Sequence, residues 1–340
     1  MVQVVTDRSL RLATRGSPLA LWQAHRVAAL LDGIGVATSL VVVETMGDRR
    51  ADLPLDQLGG QGIFVKEVQS AVVRGDADAA VHSAKDLPSD VALGPPGLLL
   101  AGFPERADPR DVLVGGSVRS LPTGSTVATG SPRRRVQLAN LRPDLTFVGL
   151  RGNLATRLAA AGEGAIAAVV VAKAAIDRLG WAPSAGMEIE VLEADIMLPQ
   201  VGQGALACEC RSDDNSTLAA LTAIDDGAVA PLVVAERAFL AELGGGCTLP
   251  VGAHAEWVSA DGEAEDGSGR TGDLRLTGMM ASADGVVVIR HAMTGDRPTE
   301  LGAAVARYLL DDAGGRDLGE WVSLPGDGAA GRPTTRSDPE

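Results

Sequence analysis

A chain of 340 residues exceeds one typical domain and points to two or three. Hydrophobic residues at 46% and charged residues at 22% exclude wholesale disorder. Aromatics at 3% leave the core to Ala, Val, Leu and Ile, and 42 glycines without a three-residue period exclude collagen. Thirty basic residues against 44 acidic ones leave a net charge of −14, which argues against nucleic acid or an anionic membrane as partner. The longest wholly apolar run, 165–172, is far short of the ~20 residues of a membrane helix. Asp7, Arg8 and Arg11 near the N-terminus, without an apolar stretch of signal-peptide length, read as cytoplasmic. Three cysteines, an odd number, suggest no disulfide framework, and any one of them is a candidate reactive thiol.

The first two-thirds of the chain alternate strand and helix signals. Residues 10–14 read as a strand. Ser17-Pro18 then opens a helix to Leu31, with apolar Leu21, Ala24, Ala28 and Leu31 at helical spacing. Serine as N-cap with proline at the first helical position is a start signal. Strands follow at 39–43 and 79–82 with a helix at 65–73 between them. This alternation predicts an α/β fold with a mainly parallel sheet. A second unit begins near Asp108, with strands at 112–114, 126–129, 146–150 and 165–172 and helices from Ser131-Pro132 to Leu141 and over 154–161. Both units end a strand and open a helix on a similar step, Thr14-Arg15-Gly16-Ser17-Pro18 and Thr129-Gly130-Ser131-Pro132, a structural echo between two lobes.

A turn-rich stretch at Leu198-Pro199 and Gly202-Gln203-Gly204 has hinge character. A strand at 205–209 follows, then a helix over 230–243 stopped by Gly244-Gly245-Gly246. Strands at 251–257, 274–281 and 285–292 and a helix at 300–311 predict a small third domain with an antiparallel sheet. The Gly- and acid-rich 261–273 reads as a loop, and the tail over 326–340 as disordered.

Three constellations could carry chemistry. In Ser131-Pro132-Arg133-Arg134-Arg135, three arginines occupy the first turn of a predicted helix, where cations are electrostatically unfavourable. A bound anion would offset that cost. Arg151-Gly152-Asn153, Arg157 and Arg15 sit at comparable strand-to-helix junctions, so the favoured ligand carries several carboxylates or phosphates. No phosphate-loop or dinucleotide glycine fingerprint is present. Taken singly, each arginine reads equally well as part of a solvated face. The second constellation, Val81-His82-Ser83-Ala84-Lys85-Asp86, ends a predicted strand where α/β sheets place ligands. Asp86 could stabilise a developing cation or move a proton, although such a stretch alone is more often a surface loop. The third, Gly244-Gly245-Gly246-Cys247, is a bare loop that leaves a thiol accessible, with a structural free cysteine as the plainer reading. Cys208 and Cys210 read as core. No histidine stands at metal-ligand spacing to the cysteines, so no metal is expected.

Seven segments in order resemble the porphobilinogen deaminase (hydroxymethylbilane synthase) family. They are Arg11-Leu12-Ala13-Thr14-Arg15-Gly16-Ser17-Pro18-Leu19-Ala20-Leu21-Trp22-Gln23, Gly59-Gly60-Gln61-Gly62-Ile63-Phe64-Val65-Lys66-Glu67, Ala80-Val81-His82-Ser83-Ala84-Lys85-Asp86-Leu87-Pro88, Ser131-Pro132-Arg133-Arg134, Leu150-Arg151-Gly152-Asn153, Gln200-Val201-Gly202-Gln203-Gly204-Ala205 and Glu242-Leu243-Gly244-Gly245-Gly246-Cys247. The resemblance implies two periplasmic-binding-protein-like lobes with mainly parallel mixed sheets and a small C-terminal α+β domain. Domain 1 would take 8–101 with 201–222, domain 2 106–198, and domain 3 226–325. It implies a transferase of tetrapyrrole and heme biosynthesis. Four porphobilinogen molecules are joined head to tail through azafulvene intermediates, and ammonia is released at each step. The chain grows on a dipyrromethane cofactor held by a thioether to Cys247. Asp86 would be catalytic. Arg15, Ser17, Phe64, Ser83, Lys85, Thr129, Ser131, Arg133, Arg134, Arg151, Gly152, Arg157 and Gln203 would bind cofactor or substrate, and 47–58 would be a mobile loop over the site. The resemblance implies a cytoplasmic monomer whose partner is the small molecule porphobilinogen.

The sequence departs from the family at Gln57 and Gln61, where some relatives carry lysine, and at Pro132, where leucine is common. Two other readings stand beside this one. A non-catalytic two-lobe anion-binding protein would account for the arginines but not for Cys247. A thiol acyltransferase would need a base near Cys247, for which His254 is close in sequence.

Overall fold

The computed structural model describes residues 9–45, 65–89, 94–150, 152–244, 250–258 and 272–318. Phe64, Arg151, Cys247, Gln57, Gln61, the 47–58 segment, most of 261–273 and the 326–340 tail lie outside the described residues.

The first sheet contains β1 (Leu10–Arg15), β2 (Thr38–Val43), β3 (Ala79–Ser83), β4 (Leu98–Gly102) and, from much later in the chain, β10 (Leu206–Arg211). Its order is β2-β1-β3-β10-β4, with β10 antiparallel to both neighbours. Helix α1 (Pro18–Asp32) starts as the sequence predicts. Ser17 accepts a hydrogen bond from the Ala20 N–H at 3.3 Å, and Pro18 stands where a helix leaves N–H groups unmatched anyway. Successive strand residues face opposite ways. Leu10, Leu12 and Val81 pack with Ala24, Val27 and Leu31 of α1 and Leu221 of α6 (Asn215–Ala223), while Ala13 and Ala80 pack with Val68 and Val72 of α2 (Lys66–Val73). Helices therefore cover both faces of the parallel part of the sheet. Full burial of a leucine such as Leu31 is worth roughly 2–3 kcal/mol relative to exposure.

The second sheet contains β5 (Asp111–Val114), β6 (Thr126–Ala128), β7 (Thr146–Val148), β8 (Ile166–Ala172) and β9 (Ile189–Leu192) in the order β7-β6-β8-β5-β9, with β5 antiparallel to both neighbours. Its helices are α3 (Pro132–Leu141), α4 (Leu154–Ala159) and α5 (Lys173–Arg178). Strand alternation again divides the core, with Leu113, Val127 and Val170 facing Leu138, and Val112, Ala128 and Val171 facing Leu158 and Ile176. The two sheets share one plan of three parallel strands, one reversed strand and a fifth aligned with the first three. Ser131 caps α3 as Ser17 caps α1, with Pro132 next. The echo between Ser17-Pro18 and Ser131-Pro132 is thus a shared strand-to-helix turn. The fold is α/β with two mixed, mainly parallel sheets.

Two segments cross between the sheets, 103–110 and 193–205, and they pair with each other. Arg106 and Ala205 form an antiparallel bridge, and Ala107 N–H donates to Gly204 O at 3.0 Å. Gly204 has φ +85°, and a Cβ there would lie 2.3 Å from Ala107 O, so the close approach requires glycine.

The third sheet is a meander of β11 (Val251–Val258), β12 (Asp273–Ala281) and β13 (Val288–Gly295). Helices α7 (Ala230–Glu242) and α8 (Pro298–Arg307) pack on it around Phe239, Leu276, Leu301 and Val305, and α8 runs on into a wider turn over Tyr308–Asp312. The last strand lies three residues beyond the expected 285–292. Gly285 takes φ +79° in a turn closed by Ser282 N–H to Val287 O, so the strand starts after it.

Candidate active site

The ligand ends of the first two sheets hold the sequence-predicted residues that are described. In the first, β1 ends at Arg15 and Ser17, and β3 ends at Ser83 before a single 3-10 turn, Ala84–Asp86, that carries Lys85 and Asp86. Arg15, Ser17, His82, Ser83, Lys85 and Asp86 line one cleft. The turn is held from three sides. Ala84 N–H donates to Ala205 O at 2.9 Å, Gln200 Nε2 to Lys85 O at 3.4 Å, and Arg237 of α7 to Pro88 O at 2.7 Å. Ser83 Oγ accepts from Gln23 Nε2 at 2.7 Å. In the second sheet, Thr129, Gly130 and Arg157 line a smaller cleft at the equivalent end. Thr129 Oγ1 accepts from Ser131 N–H, and Ser131 Oγ caps α3 through Arg134 N–H. Arg157 Nε donates to Gly152 O at 3.0 Å. Gly152 has φ +106°, and a Cβ there would press on Thr156 at 2.9 Å.

Arg133 and Arg134 converge on a carboxylate that sequence reasoning did not single out. Asp111, fully buried at the start of β5, lies 2.7 Å from Arg133 and 2.8 Å from Arg134. The anion that the α3 N-terminus calls for is therefore supplied in part from within the chain. All three polar nitrogens of Arg134 are engaged, Nε and one terminal nitrogen by Asp111 and the other by Val170 O. Arg133 is different. One terminal nitrogen meets Leu198 O and Asp111, while Nε and the other are buried with no hydrogen-bond partner among the described residues. Unmatched buried donors of this kind are costly and fit an incoming carboxylate.

Gln203 joins the two lobes. Its Nε2 donates to Asp111 at 2.9 Å and to Pro109 O at 2.7 Å, and its Oε1 accepts from Lys85 Nζ at 3.4 Å. Burial would push the Asp111 carboxyl up, but the Arg133 and Arg134 charges outweigh it and hold it well below the usual range. For Lys85 burial dominates and lowers the ammonium to about 8. Asp86 and Asp111 work to raise it, and Arg134 and Arg133 to lower it further.

Further buried polar groups brace this region. Glu236 of α7, fully buried, accepts from Arg106 at 2.9 and 3.1 Å, Gly202 N–H at 2.8 Å and Ala255 N–H at 2.9 Å. His82 lies 3.0 Å from Glu209, which also accepts from Gln69. Arg178 of α5 stacks over Trp22 of α1 at 5.3 Å and donates to Gly204 O. The only local signals for these groups were charges inside otherwise apolar elements.

Cys208 and Cys210 are buried core thiols, as the sequence suggests. Burial raises both, Cys210 to about 11, which leaves them protonated and unreactive at neutral pH. His254 is half-buried 3.9 Å from Glu236, and burial holds it below the ordinary histidine range. Among the described residues, no cluster of three His, Cys, Asp or Glu could hold a metal ion, and no helix is long and apolar enough to cross a membrane.

Residues 10–219 match the family model "Porphobilinogen deaminase, dipyromethane cofactor binding domain", and residues 230–311 match "Porphobilinogen deaminase, C-terminal domain". A porphobilinogen deaminase of Syntrophus aciditrophicus is 43% identical over 317 residues, covering 91% of this chain and 97% of the relative. One of Roseiflexus castenholzii is 44% identical over 317 residues, covering 91% and 98%. Among solved structures, the methionine-binding protein MetQ aligns with 64% of this chain and 89% of its own at 17% identity and a TM-score of 0.40, a likeness too slight to bear on function.

Proposed function

The chain belongs to the porphobilinogen deaminase family, transferases of tetrapyrrole biosynthesis with a dipyrromethane cofactor, and from that premise we propose how its own residues act. The enzyme joins four porphobilinogen molecules head to tail into hydroxymethylbilane and releases four molecules of ammonia. It works as a cytoplasmic monomer of three domains, 8–101 with 201–222, 106–198 and 226–325. The return of β10 to the first sheet supports that division. A non-catalytic anion receptor is not favoured, since the matching relatives are deaminases along nearly their whole length.

The observation that carries the site assignment is the link from Lys85, beside Asp86, through Gln203 to Asp111 and its Arg133–Arg134 pair, with two Arg133 nitrogens unmatched among the described residues. The cofactor, attached through the Cys247 sulfur, supplies when bound the pyrrole carbon to which the first substrate is joined. Its acetate and propionate groups suit Arg133, Arg151 and Arg157, with Thr129, Ser131 and Gly152 shaping that end; Arg134, expected from the sequence to bind there too, spends its nitrogens on Asp111 and Val170 O and adds its charge from behind. Arg15, Ser17, Ser83, Lys85 and Gln203 take the side chains of the incoming substrate, with Phe64 against its ring.

Porphobilinogen loses its amino group as ammonia once that nitrogen is protonated and the C–N bond breaks. The remaining azafulvene is cationic. The Asp86 carboxylate stabilises that cation at the pyrrole N–H. After the new C–C bond forms, the attacked pyrrole carbon sheds its proton, and Asp86 is the group placed to move it. At release a proton returns to the anchoring carbon as its bond to the four-unit chain breaks, and water adds to the cationic methylene so formed, losing a proton, to give the hydroxymethyl group.

Two variants test this. Asp86→Asn is expected to keep the covalent cofactor by intact mass and lose turnover by at least about a hundredfold. Cys247→Ala is expected to show the mass of the bare chain. Wild-type turnover in the first, or retained covalent pigment in the second, would overturn the corresponding role.

A further inference from the structure

We propose that Asp111 is a positioning residue of this site: its buried carboxylate sets the Arg133 and Arg134 guanidinium groups on one side and, through Gln203, the Lys85 ammonium on the other. The inference rests on the reading of the site given above. It starts from geometry. One Asp111 oxygen accepts from Arg134 and Gln203, the other lies in an ion pair 2.7 Å from Arg133 without hydrogen-bond geometry, and the residue has no exposure. The Arg133 terminal nitrogen that lies against Asp111 donates to Leu198 O, while Nε and the other terminal nitrogen have no hydrogen-bond partner among the described residues. The Asp111 charge and Leu198 O together therefore fix the orientation of the guanidinium. Gln203 is turned the same way, since its Nε2 is pinned by Asp111 and Pro109 O, which leaves Oε1 to Lys85.

A buried carboxylate also bears on the charge of Lys85, which lines the first cleft. The groups facing Lys85 are Asp86 from its own turn, Arg133 and Arg134 from α3 and Asp111 from β5. Without Asp111 the two arginines lose their shared counter-ion, and Lys85 loses one of the two negative charges that keep it protonated. Two buried guanidinium groups would then keep only their backbone partners, Leu198 O and Val170 O, and the lysine that lines the cleft would be more readily neutral.

The test compares wild type with Asp111→Asn by labelling with acetic anhydride across about pH 6 to 10, with Lys85 acetylation read by peptide mass. At neutral pH, Lys85 of the variant is expected to react about threefold faster or more, because a smaller fraction is protonated. The variant is also expected to show a KM for porphobilinogen raised about tenfold, with kcat changed less, and slower covalent uptake of pigment by the apo-chain. An unchanged Lys85 profile with an unchanged KM, whatever the loss of melting temperature, would overturn the proposal and leave Asp111 a structural ion-pair partner. If Asp111→Asn does not fold, Asp111→Asn with Arg134→Gln removes one buried charge of each sign. Its KM is expected to exceed that of Arg134→Gln alone, and equality would sink the idea. The labelling needs neither cofactor nor turnover, so it reports on Asp111 even if the wild type makes no tetrapyrrole, which would instead refute the assigned reaction.

Discussion

Replacing Glu236 by glutamine isolates one electrostatic junction at almost constant volume. The carboxylate is fully buried and accepts four hydrogen bonds, two from Arg106 and one each from Gly202 N–H and Ala255 N–H. The Arg106 side chain is only 6% exposed, so it cannot turn to water when its partner loses charge. Glutamine keeps one acceptor oxygen but sets an NH2 group against one of the two backbone N–H groups. An unpaired buried N–H costs about 1–3 kcal/mol. Stranding a buried cation by removing its partner's charge costs about 3–5 kcal/mol. The two effects overlap, so the expected loss is about 3–5 kcal/mol in total. Urea unfolding followed by circular dichroism measures it as a shift of the midpoint. Adding Arg106→Met removes the stranded charge and is expected to return a large part of the loss, which a double-mutant cycle quantifies. A single-variant loss below about 1 kcal/mol would mean that the junction is hydrated or relaxes freely, and the reasoning would fail.

Two other outcomes follow from the geometry and protonation of the molecule. Lys85 holds its proton only to about pH 8, against 10.5 for a free lysine, so its attraction for substrate carboxylates is present below that pH and lost above it. The kcat/KM profile is expected to fall on an alkaline limb near pH 8 that moves to higher pH in Lys85→Arg; a limb that stays put in the variant assigns it elsewhere. At Gly302 of α8, an added Cβ would lie 2.2 Å from Ala235 O and 2.7 Å from Phe239 N, both backbone atoms of α7. Gly302→Ala is therefore expected to cost about 2 kcal/mol or more by urea unfolding, and a neutral result would show that the two helices separate easily.

The local signals that the sequence carries were those that act within a few residues. Ser17-Pro18 and Ser131-Pro132 announce helix starts because the cap and the first turn are one structure. Of the stripe Leu21, Ala24, Ala28 and Leu31 read at helical spacing, Ala24 and Leu31 are buried and Leu21 and Ala28 half-buried, while Val27, which that stripe omitted, completes the buried face of α1. Strands β4 and β9 and helices α5 and α6 escaped notice because each is short and lacks a clear period. The pairing of β10 with β3, more than a hundred residues away, leaves no mark in either segment, and only the family resemblance foretold the return of the chain to the first sheet. Asp111 was illegible for the same reason. It reads as a charge at the edge of a strand, and its tie to Arg133 and Arg134 exists only once β5 and α3 are packed.

That packing explains how a protein of net charge −14 keeps a set of cations buried where its sheets meet. Arg133 and Arg134 are buried against Asp111, Arg106 against Glu236, and the 84–86 turn is pinned by Arg237. Charges so held are little screened by salt and cannot fold back on the acidic surface. They also link the three sheets. Glu236 and Arg237 are neighbours on α7, yet one grips Gly202 N–H beside Gln203 and the other grips Pro88 O beyond Asp86. The helix therefore braces both the turn between the lobes and the turn that bears Asp86.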